Sequence, residues 1–256
     1  MMTTQMTKNV NAERAYRLRD LPKSPQLMVR IAAGLYIIIF FAALFGAIYV
    51  PSVLVLPDDP ASTVSNLTES IPLYRAGTAS YLIILISEIM LTVLLYVLFK
   101  PVNATISLVA AAFRLAMTIV HGINILFQFL VSTILANNDY LAAFEVEQVH
   151  ALTFLTLDIH EIGWTIGIIF FSFHVLILGY LVFQSGYVPK VLGIALVLAS
   201  ISYFLDSSAS LFLDNYDSTP TILALFIVIA ELAFPLWLLI KGINVKAWQQ
   251  RIEAAA

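Results

Sequence analysis

Long apolar runs, each broken by only a few charged residues, alternate along this chain with short polar connections. A bilayer core of about 30 Å needs about 20 apolar residues per helix, and six runs reach that length. Because the runs lack the alternation of membrane β-strands, they predict helices. The pattern therefore predicts an all-α, polytopic integral membrane bundle of six transmembrane helices. The predicted spans are residues 31–50, 76–99, 104–135, 151–183, 191–213 and 221–240.

These spans divide the chain into three parts. Residues 1–30 form a basic N-terminal arm, residues 31–241 form the six-span domain, and residues 242–256 form a short tail. The longest connection, residues 52–75, has prolines within and just before it, and these argue against regular structure there. They are Pro51, Pro57, Pro60 and Pro72.

The distribution of basic residues predicts the orientation. With the N-terminus inside, 11 of the 13 Lys and Arg residues fall on the cytoplasmic side, as the positive-inside rule requires. They are Lys8, Arg14, Arg17, Arg19, Lys23, Arg30, Lys100, Lys190, Lys241, Lys246 and Arg251. We therefore expect both the arm and the tail in the cytoplasm.

Composition narrows the class of protein further. The chain is 61% hydrophobic and 11% charged, with a mean hydropathy of +0.93. Ordinary soluble domains are about 25% charged, so these values exclude a soluble globule, a disordered chain and a nucleic-acid binder. With no cysteine, thiol nucleophiles, thiolate zinc sites and iron–sulfur clusters are excluded as well. The expected partners are the lipid bilayer and either further copies of the chain or a larger membrane complex.

Polar residues inside the spans are the candidate functional groups, because charge within a bilayer costs about 2.5–3.5 kcal/mol per residue on insertion scales. In the third span they recur at spacings of 4, 3, 7 and 4, which places them on one helical face. They are Arg114, Thr118, His121, Gln128 and Ser132, with Asn124 at the edge. Such a face must meet other helices or water.

The fourth span carries two polar faces. One holds Asp158, Glu161, Thr165 and Ser172, and the other holds His160, Gly163, Gly167 and His174. The two glycines, four residues apart, would let a neighbouring backbone approach closely.

The charges inside the spans do not balance. Only Arg114 opposes five carboxylates, which are Glu88, Asp158, Glu161, Asp206 and Glu231. Buried together they cannot all be ionised, so some must be protonated, paired, hydrated or bound to a cation.

Depth along the spans suggests where these groups lie. Near mid-membrane, Arg114 and His121 share a level with Glu88 and Glu231, so Arg114 is expected to pair with one of those two carboxylates. Asp158, His160, Glu161 and Asp206 lie towards the outer leaflet, where an outward-open cavity would hydrate them. Pro235, one turn after Glu231, predicts a kinked sixth span.

Cofactor chemistry has little support in the spacing of these residues. His121, His160 and Asp206 are weak candidates for metal ligands, since no HExxH or HxxxH motif accompanies them. His160 and His174 are 14 residues apart, as in a two-haem helix, but only His121 is available as an opposing ligand. No cofactor is therefore predicted, and an enzyme is the less favoured class.

Three functions remain open. Titratable groups near mid-membrane beside a proline-kinked helix favour binding or transport of a small molecule or proton through a polar intramembrane cavity. The alternative is a non-catalytic auxiliary or structural subunit of a membrane complex. A metal-dependent membrane enzyme comes third.

Short motifs follow the second span, occupy the third and run through the second half of the chain. They are Lys100–Pro101–Val102–Asn103, Phe113–Arg114–Leu115, His160-x-x-Gly163, Gly179–Tyr180–Leu181, Ser185–Gly186–Tyr187-x-Pro189-x-x-Leu192–Gly193, Tyr203-x-x-Asp206 and Trp237–Leu238–Leu239–Ile240–Lys241–Gly242. From about Ala32 to Asn244 the chain thereby resembles a bacterial membrane family catalogued as domain of unknown function 4386. The resemblance implies a six-helix protein of the bacterial cytoplasmic (inner) membrane, and it implies no activity.

Overall fold

The computed structural model describes residues 24–57, 59–136, 141–216 and 218–255, and within these ranges the chain is helical without strands. Its helices are α1 (Pro25–Leu54), α2 (Pro60–Glu69), α3 (Ile71–Phe99), α4 (Ala104–Leu135), α5 (Val146–Ser185), α6 (Lys190–Phe212), α7 (Thr221–Ile240) and α8 (Val245–Ala255). Among these, all but α2 and α8 are long and apolar enough to cross a membrane. The predicted six-helix membrane bundle is therefore confirmed.

The six long helices form a closed ring. Each packs against its neighbour in the chain, and α1 closes the ring by packing against both α3 and α7. The polar face of α4 and one of the two polar faces of α5 lie inside this ring, where Arg114, His121, His160 and His174 are all buried. Asp158 and Glu161, on the other polar face of α5, are exposed. Ring closure thus gives Arg114 and the three histidines an interior away from lipid.

The start of α1 is defined by its capping residues. Ser24 accepts a hydrogen bond from the backbone N–H of Leu27 at 3.3 Å, and Pro25 occupies the first turn, where its missing N–H costs nothing. Residues 1–23 of the predicted arm lie outside the described residues, whereas the tail contains α8. The cytoplasmic location of both stays a prediction.

The last turns of α1 depart from α-helical geometry. Residues Leu44–Tyr49 form a π-helical turn just before Pro51, which cannot donate a backbone hydrogen bond. This turn packs closely on α3, since a Cβ added to Gly46 would lie 1.9 Å from the Ser80 hydroxyl. The absence of a side chain at Gly46 is what permits this contact.

The expectation of an irregular connection between the first two spans is wrong. Residues Pro60–Glu69 form α2, whose N-terminus is capped by Asp59 through the Ser62 N–H at 2.9 Å. Pro60 and Pro72 each stand in the first turn of a helix. Proline is well tolerated in that position, so prolines here begin helices and do not prevent them.

The two ends of the bundle differ, and we name them after the short helix that each carries. The α2 end also holds the turn before α5. The α8 end holds the turns after α3, α5 and α7. At that end Trp248 and Tyr187 are buried, and both donate hydrogen bonds to the Leu98 carbonyl, at 3.0 and 2.7 Å. Burial raises the pKa of the Tyr187 hydroxyl well above its ordinary value.

Candidate functional site

The centre of the bundle is built around the Arg114 guanidinium. Its side chain is 1% exposed and its Nε forms an ion pair with a carboxylate oxygen of Glu88 on α3, at 2.5 Å. The guanidinium carbon also lies 5.2 Å from the centre of the Tyr36 ring and 5.5 Å from that of Phe171. Aromatic faces attract cations at such distances, so α1, α3 and α5 hold the charge together. The predicted central pair is confirmed with Glu88 as the partner.

His174 completes the surroundings of Arg114 from α5. Its Nε2 lies 2.9 Å from Arg114 Nη1, and a guanidinium nitrogen can only donate a hydrogen bond. Its Nδ1 lies 2.8 Å from the Ala110 carbonyl oxygen, which can only accept one. This arrangement assigns the proton to Nδ1 and makes Nε2 an acceptor. His174 is therefore a neutral support of the guanidinium. Both ring nitrogens are used within the protein.

Glu231 faces the same interior from α7 without joining the ion pair. Its carboxylate accepts a hydrogen bond from the Tyr203 hydroxyl at 3.0 Å. Pro235 lies inside α7 and has no N–H to donate to the Glu231 backbone carbonyl. Glu231 is half-buried, and it adds a second carboxylate to the interior that holds Arg114, which is already paired with Glu88.

These groups line a cavity of about 140 Å³, which we call the central cavity. Its walls include Tyr36, Glu88, Arg114, His121, Trp164, Tyr203 and Glu231. A water molecule occupies about 30 Å³ of liquid, so the space and the polar lining both suit a few waters. The central cavity is thus a place where charge can be solvated inside the bundle.

A second, larger cavity of about 310 Å³ lies at the α2 end, and we call it the cleft. It opens between the end of α1, the start of α3 and the first half of α5. Its lining includes Tyr74, Thr78, Tyr81, Gln128, Asp158, His160, Glu161 and Trp164. Polar residues predicted near the outer leaflet therefore share one cavity, although Asp206 does not belong to it.

Trp164 lines both cavities. Its ring stacks on His121, with ring centres 4.0 Å apart and planes 4° apart, and its backbone carbonyl lies 3.0 Å from His121 Nε2. On the other side Tyr81 meets Trp164 edge to face at 5.4 Å. Trp164 and His121 therefore form the boundary between the cleft and the central cavity.

His160 and Asn124 bind each other across α4 and α5. The Asn124 amide donates to the His160 carbonyl at 2.8 Å and lies 3.0 Å from His160 Nδ1. Asn124 Oδ1 and His160 Nε2 are buried and have no hydrogen-bond partner in the described structure. Buried polar atoms are rarely left in this state, so these two atoms are free to bond a water molecule or a ligand.

Glycines in α5 make this arrangement possible, although their spacing predicted close approach of a neighbouring backbone. A Cβ on Gly163 would lie 2.1 Å from Asn124 Oδ1, and one on Gly167 would lie 2.0 Å from His121 Nε2. The small residues admit polar side chains of α4 rather than its backbone.

The remaining predicted residues are more peripheral. Asp158 and Glu161 are exposed at the edge of the cleft, while the side chain of Gln128 is buried and lines it. Asp206 accepts a hydrogen bond from the Tyr216 hydroxyl. Within the described ranges no three His, Asp or Glu side chains form a metal-binding group, so His121, His160 and Asp206 do not form one.

Two central aromatic residues, Tyr36 and Trp164, are missing from the predicted set. Trp164 lies four residues after His160, and that spacing placed it on the same helical face. Tyr36 lies in a span without charges, and no sequence feature pointed to its contact with Arg114.

Comparison with known sequences agrees with this architecture. The pattern of the family described as "Domain of unknown function (DUF4386)" matches residues 31–242. A protein of Archaeoglobus fulgidus, named "Uncharacterized protein", is 30% identical over 164 residues, which cover 62% of this chain and 80% of the relative. No solved structure matches this chain.

Proposed function

This chain belongs to the DUF4386 family, and from the arrangement of its two cavities we propose that it binds and transports protons or a small polar solute. The path runs from the cleft, past Trp164 and His121, to the central cavity. The observation that carries the proposal is that a single side chain, Trp164, lines both cavities. In the proposed orientation, the cleft faces outward from a bacterial inner membrane.

Charge supports this function. The central cavity contains Glu88, Arg114 and Glu231, so one carboxylate remains after the ion pair is counted. An intramembrane carboxylate without a cationic partner is stabilised by taking up a proton or a cation. Glu231 is therefore the proposed carrier of the exchangeable charge, and Glu88 with Arg114 is the fixed part of the site.

The path is closed towards the α8 end. Beyond His174, a void of only about 10 Å³ lies among Leu95, Phe99 and Leu181. Transport therefore requires this apolar region to open, as in alternating access, where one side of a site is sealed while the other is exposed.

Proton flux into liposomes tests the proposal. Purified protein is reconstituted with an internal pH dye, and a potassium gradient with valinomycin drives proton entry. Wild-type vesicles are expected to acidify faster than protein-free vesicles, and Glu231→Gln is expected to remove most of the difference. Glu253→Gln, which neutralises an exposed carboxylate on α8, is the matched control and should leave the flux unchanged. Equal flux in wild-type and Glu231→Gln vesicles would overturn the proposed role of the central cavity.

A further inference from the structure

The charged residues that line the cleft, among those described, are both acidic. Asp158 and Glu161 are three residues apart on α5, so they lie on one face of that helix. The basic residue of α3, Arg75, lies in a separate groove with Phe129 and Ser132. The cleft therefore presents negative charge to whatever enters it.

Aromatic rings form the wall beside these carboxylates. Tyr74, Tyr81 and Trp164 all line the cleft, and Tyr81 meets both Trp164 and His160 edge to face with ring centres 5.4 Å apart. Aromatic faces attract organic cations, particularly quaternary ammonium groups. Carboxylates and aromatic rings in one cavity are the combination that recognises an ammonium ion.

His160 supplies a different kind of contact. It is 8% exposed, belongs to the cleft lining, and its Nε2 has no hydrogen-bond partner. His160 Nδ1 lies 3.0 Å from the Asn124 amide nitrogen, a donor, and 3.3 Å from the Asn124 backbone carbonyl, an acceptor. The shorter contact makes Nδ1 the acceptor and assigns the ring proton to Nε2, which is then a donor without an acceptor. A ligand that carries an acceptor would relieve this unpaired group.

We infer that the cleft is a binding site for a small organic ammonium ion that also carries a hydrogen-bond acceptor. The ammonium group lies between the Asp158 and Glu161 carboxylates and the rings of Tyr81 and Trp164, and the acceptor is directed towards His160. The volume of about 310 Å³ is within the usual range of small-molecule sites. This inference rests on the proposed function, because it identifies the solute that enters the path.

The absence of native cysteine allows a direct test with thiol reagents of opposite charge. Ala47→Cys places a single thiol in the cleft, and Ala142→Cys places one at an exposed position before α5. Rates are measured with the trimethylammonium-ethyl and the sulfonatoethyl methanethiosulfonates. We expect the cation-to-anion rate ratio at Ala47→Cys to exceed that at Ala142→Cys by about tenfold, as negatively charged clefts concentrate cations to that degree.

Variants and competitors then identify the groups responsible. Asp158→Asn combined with Glu161→Gln should bring the Ala47→Cys ratio down to the exposed reference. Asp214→Asn, which removes an exposed carboxylate from the loop before α7, is the matched control and should leave the ratio unchanged. Tetramethylammonium chloride should slow labelling of Ala47→Cys more than sodium chloride does. The (2-hydroxyethyl)trimethylammonium ion, which adds an acceptor, should act at lower concentration.

Each other outcome has a definite meaning. Equal charge ratios at the two thiols, with no protection by either ammonium ion, would overturn the ammonium site and leave the proposed proton path standing. Equal protection by the two ammonium ions would overturn the acceptor contact with His160. If neither reagent labels Ala47→Cys while both label Ala142→Cys, entry from the α2 end is wrong, and the proposed path fails with it.

Discussion

The two ends of this bundle are made from opposite kinds of side chains. At the α2 end the interior is a cleft lined by Asp158, Glu161 and His160, which opens towards the surface. At the α8 end the interior is filled by a large apolar cluster that includes Leu98, Phe99 and Trp248. The polar residues of α4 and α5 thus lie at the centre of the bundle and around the cleft, and the opposite half is filled by apolar side chains.

This difference agrees with two requirements of the proposed path. Close apolar packing gives a rigid and water-tight half, since interiors of this kind contain few voids. Titratable groups require solvation or pairing, and the central cavity and the cleft supply it. Arg114 lies where the polar half and the apolar half of the bundle meet, so substitutions at its ion pair affect the boundary between them.

The largest expected effect comes from breaking the ion pair at this boundary. Glu88→Gln leaves the Arg114 guanidinium buried without its carboxylate, which should lower the free energy of unfolding by about 3–5 kcal/mol. Denaturant unfolding of the detergent-solubilised protein measures this change.

Two further variants complete the test of the pair. Replacing both partners, with Glu88→Gln and Arg114→Met, should recover part of the stability, because no unpaired charge then remains. Glu147→Gln, at an exposed position in the first turn of α5, should change stability by no more than about 0.5 kcal/mol. A Glu88→Gln protein as stable as the wild type would show that the cavity hydrates Arg114 sufficiently on its own.

A smaller effect is expected from a glycine contact in the sealed half. A Cβ on Gly193 would lie 2.7 Å from the Gly179 carbonyl oxygen and 2.7 Å from the Phe183 nitrogen, which are both backbone atoms. A side chain could relieve such a contact by changing its rotamer, but backbone atoms cannot. The added methyl group of Gly193→Ala must therefore push α5 and α6 apart. We expect a loss of about 1–3 kcal/mol in the free energy of unfolding, measured in the same denaturant experiment.

Gly34 in α1 provides the matched control for this substitution. Nothing lies within 4 Å of a Cβ added there, so Gly34→Ala should be neutral or stabilise the helix by up to about 1 kcal/mol. If the Gly193→Ala and Gly34→Ala proteins were equally stable, the contact between α5 and α6 would be loose, which would contradict close packing at the α8 end.

Hydropathy and helical periodicity were sufficient for the architecture and for part of the site. A segment that crosses the lipid must be a long apolar helix, so the six spans can be recognised from the hydropathy of the sequence. The spacing of Arg114, His121 and Gln128 likewise placed them on one face, and depth along the spans limited Arg114 to two partners. Such inferences succeed because they depend on the periodicity of one helix or on the position of a residue within its own span.

The rest of the site depends on contacts between helices that no single segment encodes. Trp164 divides the two cavities only because α4 brings His121 against its ring, and Tyr36 reaches Arg114 only because α1 closes the ring of helices. The choice of Glu88 over Glu231 also follows from packing. The α2 helix was missed for a local reason, since prolines were counted as breakers although Pro60 begins a helix.

The smallest expected effect concerns the cap of α2, the short helix at the polar end. The Ser62 hydroxyl and backbone N–H both donate to the Asp59 carboxylate, at 2.6 and 2.9 Å, and they hold the pKa of Asp59 below its ordinary value. A carboxylate whose pKa is lowered by folding stabilises the folded state above its ordinary pKa of about 4, and the benefit is lost as pH falls through the lower folded value. Hydrogen exchange of the α2 backbone amides, corrected for intrinsic rates, should therefore show protection that decreases below about pH 4. Asp59→Asn caps equally well without titrating, so the same segment should keep its protection in that variant. If the two proteins lose protection in parallel, α2 is held at the polar end by its packing on α5 and not by its cap.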